Sequence, residues 1–401
     1  MAVTRPSGPP APAASTRRRF RDDIQGLRAV AVLLVIANHA GIPGFAGGYI
    51  GVDVFFVISG YVITQLLLRE ADKGPRQGLA DFYSRRVRRI VPAASATLVV
   101  TVIAAEMVTG GRVGDALIGD VRWAAAFLAN FRLIRTGSNY FVPGLQPSLI
   151  TQFWSLAVEE QFYLCFPLAV FLVAKFAPKE RRRAALSVVL LVGILLSAWW
   201  SVHLSSANPP AAYYSPFTRF WELGLGCLLA TVTARAPGPR DDAARLLTAA
   251  GVVLLVVALV VLGPRSVYPG ALAWLPCLST ALLIWAGARP AAQPYSRVTA
   301  FLSTRPMVVI GDLSYSLYLW HFIWLKLPAQ LSPPLGGASW RIVELVGTFV
   351  TAFLSYHLLE NPIRRSRRLA NDRVAVAMLL CVCVAASWAA AGVMAHHTQV
   401  G

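Results

Sequence analysis

Arg28 and His39 stand eleven residues apart in an apolar run, RAVAVLLVIANH. At 100° and 1.5 Å per residue, that spacing brings both side chains to within about 20° of one helix face, separated by about 16 Å. A guanidinium binds phosphate or carboxylate, and a neutral imidazole serves as a general base or a nucleophile. Asp53, near the start of the next apolar run GVDVFFVISGYVIT, falls at the level of His39. It reads as a partner that holds the imidazole, or as a carboxylate favoured at a helix start. Glu159 and Glu160, in FWSLAVEEQFY, place two carboxylates about two turns into an apolar helix, as a substrate contact or a helix-pairing contact.

Three further stretches carry polar groups. GDLSYSLYLWH sets Asp312, Tyr315, Tyr318 and His321 along one helix as a polar lane, against the plainer reading of an interfacial aromatic belt. FYSRRVRRIVP supplies Arg85, Arg86, Arg88 and Arg89, which either chelate phosphates through paired N–H donors or serve as topological charge. Arg364, Arg365, Arg367 and Arg368, after HLLENPIRR, read as topological charge, with His357 and Glu360 a local pair at i, i+3.

The elements that must position these groups are transmembrane helices. Of 401 residues, 56% are hydrophobic and 14% charged, far from the roughly 25% charged residues of soluble domains. About 20 apolar residues cross a bilayer. Eleven such segments are expected, at 24–42, 50–68, 90–109, 152–174, 184–203, 214–234, 245–263, 270–288, 307–327, 340–359 and 374–395. The short run 121–134, interrupted by Arg122 and Arg132, is expected on or in the outer leaflet, because letting it cross would put Lys179, Arg181, Arg182 and Arg183 outside.

With that assignment, most of the 37 lysines and arginines fall inside, the N-terminus is cytoplasmic and the C-terminus extracytoplasmic. The net charge of +18 is thus explained by topology, and no nucleic-acid partner is expected. Residues 1–21 read as a disordered basic cytoplasmic tail without a signal-peptide core, 22–363 as the membrane domain, and 364–401 as a basic linker with an additional helix. The five cysteines form no spaced framework, and neither a disulfide nor a metal site is expected. No internal repeat of the kind that builds many transporters is visible.

In order along the chain, RDDIQGLRAVAVLLVIANH, GGYIGVDVFFVISGYVIT, FYSRRVRRIVP, FWSLAVEEQFYL, GDLSYSLYLWH and HLLENP resemble the acyltransferase-3 family of membrane O-acyltransferases, from about residue 22 to about 363. The resemblance implies a multi-pass protein of the bacterial cytoplasmic membrane. It would move an acyl group, commonly acetyl, from acyl-CoA to a hydroxyl of a glycan, a lipid-linked sugar or a secondary metabolite.

By the same resemblance His39 is the catalytic centre, as general base or transiently acylated. Arg28, Arg86 and Arg89, with Arg85 beside them, bind the acyl-CoA donor, and Asp53, Glu159 and Glu160 complete the catalytic set. Some family members carry an eleventh helix leading to an extracytoplasmic SGNH-type domain. Segment 374–395 corresponds to that helix, which makes a separate SGNH-type domain an implied partner and an acyl relay an alternative role. A transporter or flippase lined by Arg28, His39 and Asp53 is the rival outside enzymology.

Overall fold

An apolar chain in hydrocarbon must satisfy its own backbone, and an α-helix does so within a single segment. The computed structural model describes residues 21–70, 75–110, 114–141, 148–234, 238–288, 296–328 and 337–400, and its regular structure there is helical throughout. The tail expected at 1–21 lies outside the described residues except for Arg21.

In chain order the helices are α1 (Asp22–His39), α2 (Gly51–Glu70), α3 (Pro75–Thr109), α4 (Gly114–Ala125), α5 (Ala129–Arg135), α6 (Phe153–Phe176), α7 (Arg182–Ala207), α8 (Pro209–Tyr214) and α9 (Phe220–Thr233). They continue as α10 (Asp241–Val261), α11 (Trp274–Ala286), α12 (Arg297–Leu302), α13 (Arg305–Lys326), α14 (Ala338–Ser355), α15 (Asn361–Arg365), α16 (Arg367–Asn371) and α17 (Arg373–Val400).

Each of the eleven expected segments coincides with one of these helices. Among the described residues, eight helices are long and apolar enough to cross a membrane. The other three are α1, whose first turns carry Asp22, Asp23 and Arg28, and the shorter α9 and α11. Buried helices α2, α3 and α13 form the interior, while α7, α10 and α17 turn most of their length outward. Their outward faces are apolar, with Leu191, Leu195 and Leu196 on α7 and Val253, Val256 and Val260 on α10. Such surface is at rest only against lipid, so the chain is a multi-pass membrane protein.

Two features of the helix pattern bear on the site, the second of them a departure from the expected one. The 121–134 run is broken into α4 and α5 at Phe127, a non-glycine residue with φ 55°, and neither piece is long enough to cross. The amide of Gln161 on α6 donates to the Phe127 carbonyl at 2.9 Å, which satisfies the break. Helix α3 begins not near residue 90 but at Pro75, so Arg85 to Arg89 lie on its surface rather than in a loop before it. An average of hydropathy sees only the apolar half of this helix, because its first turns are amphipathic.

The central helices approach closely where side chains are absent. A Cβ added at Gly60 on α2 would stand 1.9 Å from the Leu223 carbonyl oxygen, and one at Gly226 on α9 would stand 2.0 Å from that of Val57. The two backbones are in reciprocal contact, as small residues permit in lipid. Helix α1 packs against α2 and α13, which fixes both faces of the helix bearing Arg28 and His39.

Candidate active site

A cavity opens beside Arg28 of α1, between α2, α3, α6 and α13. At one end it is lined by Arg28 from α1 and by Arg86 and Arg89 from α3. Arg86 and Arg89 are one turn apart on the same face of α3, which is why both reach it. Arg28 Nη1 donates to Gln25 Oε1 at 2.9 Å, and Gln25 Nε2 donates to Asp312 Oδ1 at 2.6 Å. The guanidinium of Arg86 lies 3.6 Å from the centroid of the Tyr163 ring, and its Nε is buried without a hydrogen-bond partner among the described residues.

The middle of the cavity is polar on one side. Ser59 Oγ donates to Glu159 Oε1 at 2.6 Å, and the Tyr163 hydroxyl donates to the same oxygen. Ser314 contributes a buried hydroxyl without a partner among the described residues. Phe55 and Tyr318 also line the cavity, with the Tyr318 hydroxyl 2.6 Å from Ser155 Oγ and 3.0 Å from the Gln152 carbonyl oxygen.

His39, the last residue of α1, does not itself line this cavity. Its Nδ1 is 3.0 Å from His321 Nε2, and its Nε2 is 2.6 Å from the Tyr140 hydroxyl. His321 is on α13 one turn after Tyr318, so the lane of Tyr315, Tyr318 and His321 runs from the arginine end to the histidine end. Tyr140 comes from the segment after α5 and stacks on Tyr213 with centroids 4.5 Å apart.

Asp53 does not hold His39. It is buried against Arg219, with Arg219 Nη1 2.8 Å from Asp53 Oδ1 and 2.9 Å from Glu222 Oε1. The Arg219 Nε donates to the Tyr213 carbonyl at 3.2 Å, and the guanidinium lies 5.0 Å from the Tyr213 ring and 5.4 Å from that of Trp154. The reason is electrostatic, since a buried carboxylate needs a full counter-charge and Arg219 offers one where a neutral imidazole does not. Asp53, Glu222 and Cys277 bring ligand atoms within 4.8 Å of one another, but the cation between these carboxylates is Arg219. Asp53 therefore reaches His39 only in sequence, through Arg219, Tyr213 and Tyr140.

The family model of the acyltransferase-3 family, an acyltransferase domain, matches residues 21–360. The chain belongs to this family. Its relatives include the peptidoglycan O-acetyltransferase OatA of Listeria monocytogenes, 32% identical over 87% of this chain and 56% of that protein. The O-acetyltransferase OatA of Staphylococcus aureus is 30% identical over 86% of the chain and 58% of its own length. The putative peptidoglycan O-acetyltransferase YrhL of Bacillus subtilis is 32% identical over 86% and 55%. The chain thus spans a little over half the length of these curated relatives. No solved structure matches it.

Within this acyltransferase-3 chain the expected site residues divide. Arg28, Arg86, Arg89 and Glu159 line one cavity. Glu160 stands beside it with one buried oxygen lacking a hydrogen-bond partner among the described residues, within electrostatic reach of Arg86 and Arg89. Arg85 is on the other face of α3, 3.3 Å from Glu70, and Arg88 donates to the carbonyls of Arg364 and Ser366 at 3.4 and 3.3 Å. Glu360, expected to pair with His357, instead accepts from Ser316 at 3.0 Å, because a widened π-type turn over Tyr356–Glu360 swings it inward.

Residues that the motifs did not single out for the site are Tyr140, Gln25, Ser59, Tyr163 and Arg219. His321 stood out on its own helix, but not as a partner of His39. Gln25, one turn before Arg28, Ser59, in the same apolar run as Asp53, and Tyr163, one turn after Glu159, lie within the motifs already read; Tyr140 and Arg219 come from segments far from them in the chain.

Proposed function

We propose that the protein is a membrane O-acetyltransferase that takes acetyl from cytoplasmic acetyl-CoA and delivers it to a hydroxyl of a cell-wall glycan. One observation carries this reading: α1 bears both Arg28, which lines a cavity with Arg86 and Arg89, and, about three turns on, His39, whose Nε2 already faces a hydroxyl at 2.6 Å. Three guanidiniums suit the phosphates of CoA, and the positive-inside assignment puts them on the cytoplasmic side. The pantetheine arm would then run past Ser59, Glu159 and Ser314, and the thioester would reach Tyr318, one turn before His321. The glycan class comes from the relatives named as peptidoglycan O-acetyltransferases.

In the chemical step His39 Nε2 takes the proton of the acceptor hydroxyl while that oxygen attacks the thioester carbonyl. The tetrahedral intermediate collapses with cleavage of the C–S bond, and the departing thiolate takes the proton back from His39. The products are an acetate ester and free CoA. The Tyr140 hydroxyl favours a second reading, an acyl relay, in which Tyr140 occupies the acceptor place, carries the acetyl group as an aryl ester and hands it to a further acceptor.

The test is to purify the chain in detergent with radiolabelled acetyl-CoA and follow thioester loss and protein-bound label. Turnover that disappears in His39→Ala with donor binding kept, and a raised KM in Arg86→Ala, support the reading. Protein-bound label absent from Tyr140→Phe supports the relay. A wild type that neither binds nor consumes acyl-CoA defeats both and moves the transporter reading ahead.

A further inference from the structure

The partners of His321 determine more than its position. His321 Nδ1 lies 2.7 Å from the Tyr318 carbonyl oxygen and 3.2 Å from that of Leu317. Carbonyl oxygens only accept, so Nδ1 carries the proton. His321 is fully buried, and its hydrogen-bond partners among the described residues are these carbonyls and His39, with no carboxylate to balance a cation, so the ring is neutral. Its lone pair is therefore on Nε2, the nitrogen 3.0 Å from His39 Nδ1. Two lone pairs do not share such a contact, so His39 Nδ1 donates. By elimination the lone pair of His39 is on Nε2, and the Tyr140 hydroxyl donates to it at 2.6 Å.

We infer that His321 is a positioning residue: it fixes His39 as the Nδ1–H tautomer and aims its basic Nε2 at the hydroxyl to be acylated. The inference rests on the reading of His39 as the base. His321 does for His39 what a carboxylate does for the histidine of a serine hydrolase, holding tautomer and orientation without placing an anion in the bilayer. The two rings stack at 5.1 Å with 29° between their planes, and Phe322 closes on His39 edge-on at 5.1 Å, which leaves the pair little freedom to rotate. When the hydroxyl proton moves to His39 Nε2, the Nδ1–H keeps its acceptor on His321, and no proton has to leave the site before the thiolate takes it.

The experiment compares wild type, His321→Leu and His321→Gln in detergent, by acetyl-CoA kinetics and by 15N NMR of histidine-labelled protein with His39 assigned by a His39→Gln spectrum. The expected results are His39 protonated at Nδ1 and bare at Nε2 in wild type, and a kcat at least tenfold lower in His321→Leu with KM for acetyl-CoA within about twofold. The Gln variant, whose Oε1 reaches the same place as an acceptor, recovers most of kcat. A wild-type His39 protonated at Nε2, a monodisperse Leu variant with full kcat, or a monodisperse Gln variant as slow as Leu overturns the inference. If wild type consumes no acetyl-CoA, the functional reading fails, and the tautomer spectrum alone decides the role of His321.

Discussion

Among single residues, chemistry and position separate groups that the sequence presents as equals. Arg85 and Arg86 are neighbours in one motif, yet Arg86 lines the cavity and Arg85 pairs with Glu70. Hydrogen bonds to charged groups contribute about 1.5–3 kcal/mol, or about 10- to 150-fold in binding. Arg86→Ala is therefore expected to raise KM for acetyl-CoA at least tenfold, and Arg85→Ala to leave it within about twofold, in the same steady-state assay. Asp53 belongs to a buried ion cluster, where removing one partner leaves an uncompensated charge at about 3–5 kcal/mol. Arg219→Met, which strands Asp53 and Glu222 together, should lower the unfolding temperature in detergent more than Asp53→Asn does. An Asp53→Asn protein as stable as wild type but without turnover would return Asp53 to the reaction itself.

Helices enforce these placements through their phase and their contacts. Residues three and four apart share a face, which puts Arg86 with Arg89 on α3 and Tyr318 with His321 on α13. Helix α2 can present Ser59 to the cavity because the adjacent Gly60 lets α9 pack directly on its backbone. Gly60→Leu is expected to abolish a folded, monodisperse protein, whereas Gly193→Ala, on α7 with open space around it, should be neutral or stabilising by about 1 kcal/mol. Thermal unfolding in detergent separates the two, and equal behaviour would mean that the α2 and α9 backbones are not in contact.

For the whole molecule, the site has two ends, an arginine end and a histidine end, held about 16 Å apart by a single helix. The proposed transfer from a cytoplasmic donor to an extracytoplasmic acceptor requires those two ends to be joined. The topology that assigns the ends is itself testable. With the five native cysteines removed, Lys179→Cys should react with a membrane-impermeant maleimide only after the cells are opened, and Arg265→Cys in intact cells. The reverse pattern would turn the molecule over and place the arginine end outside.

Much was legible in the chain alone because hydropathy and helical period are local properties. Segment length located every principal helix, the spacing of Arg28 and His39 gave their common face, and the succession of motifs named the family. The amphipathic start of α3 escaped, since its apolar positions are too sparse to read as a span. What decided the partners of the acidic and aromatic residues was tertiary: Arg219 is 166 positions from Asp53, and His321 is 282 from His39. A buried charge takes the counter-charge that folding brings nearest, and a histidine takes its tautomer from whatever its other nitrogen meets. Neither is a property of spacing, so the pairing of Asp53 with Arg219, and of His39 with His321 and Tyr140, emerged only when the helices packed.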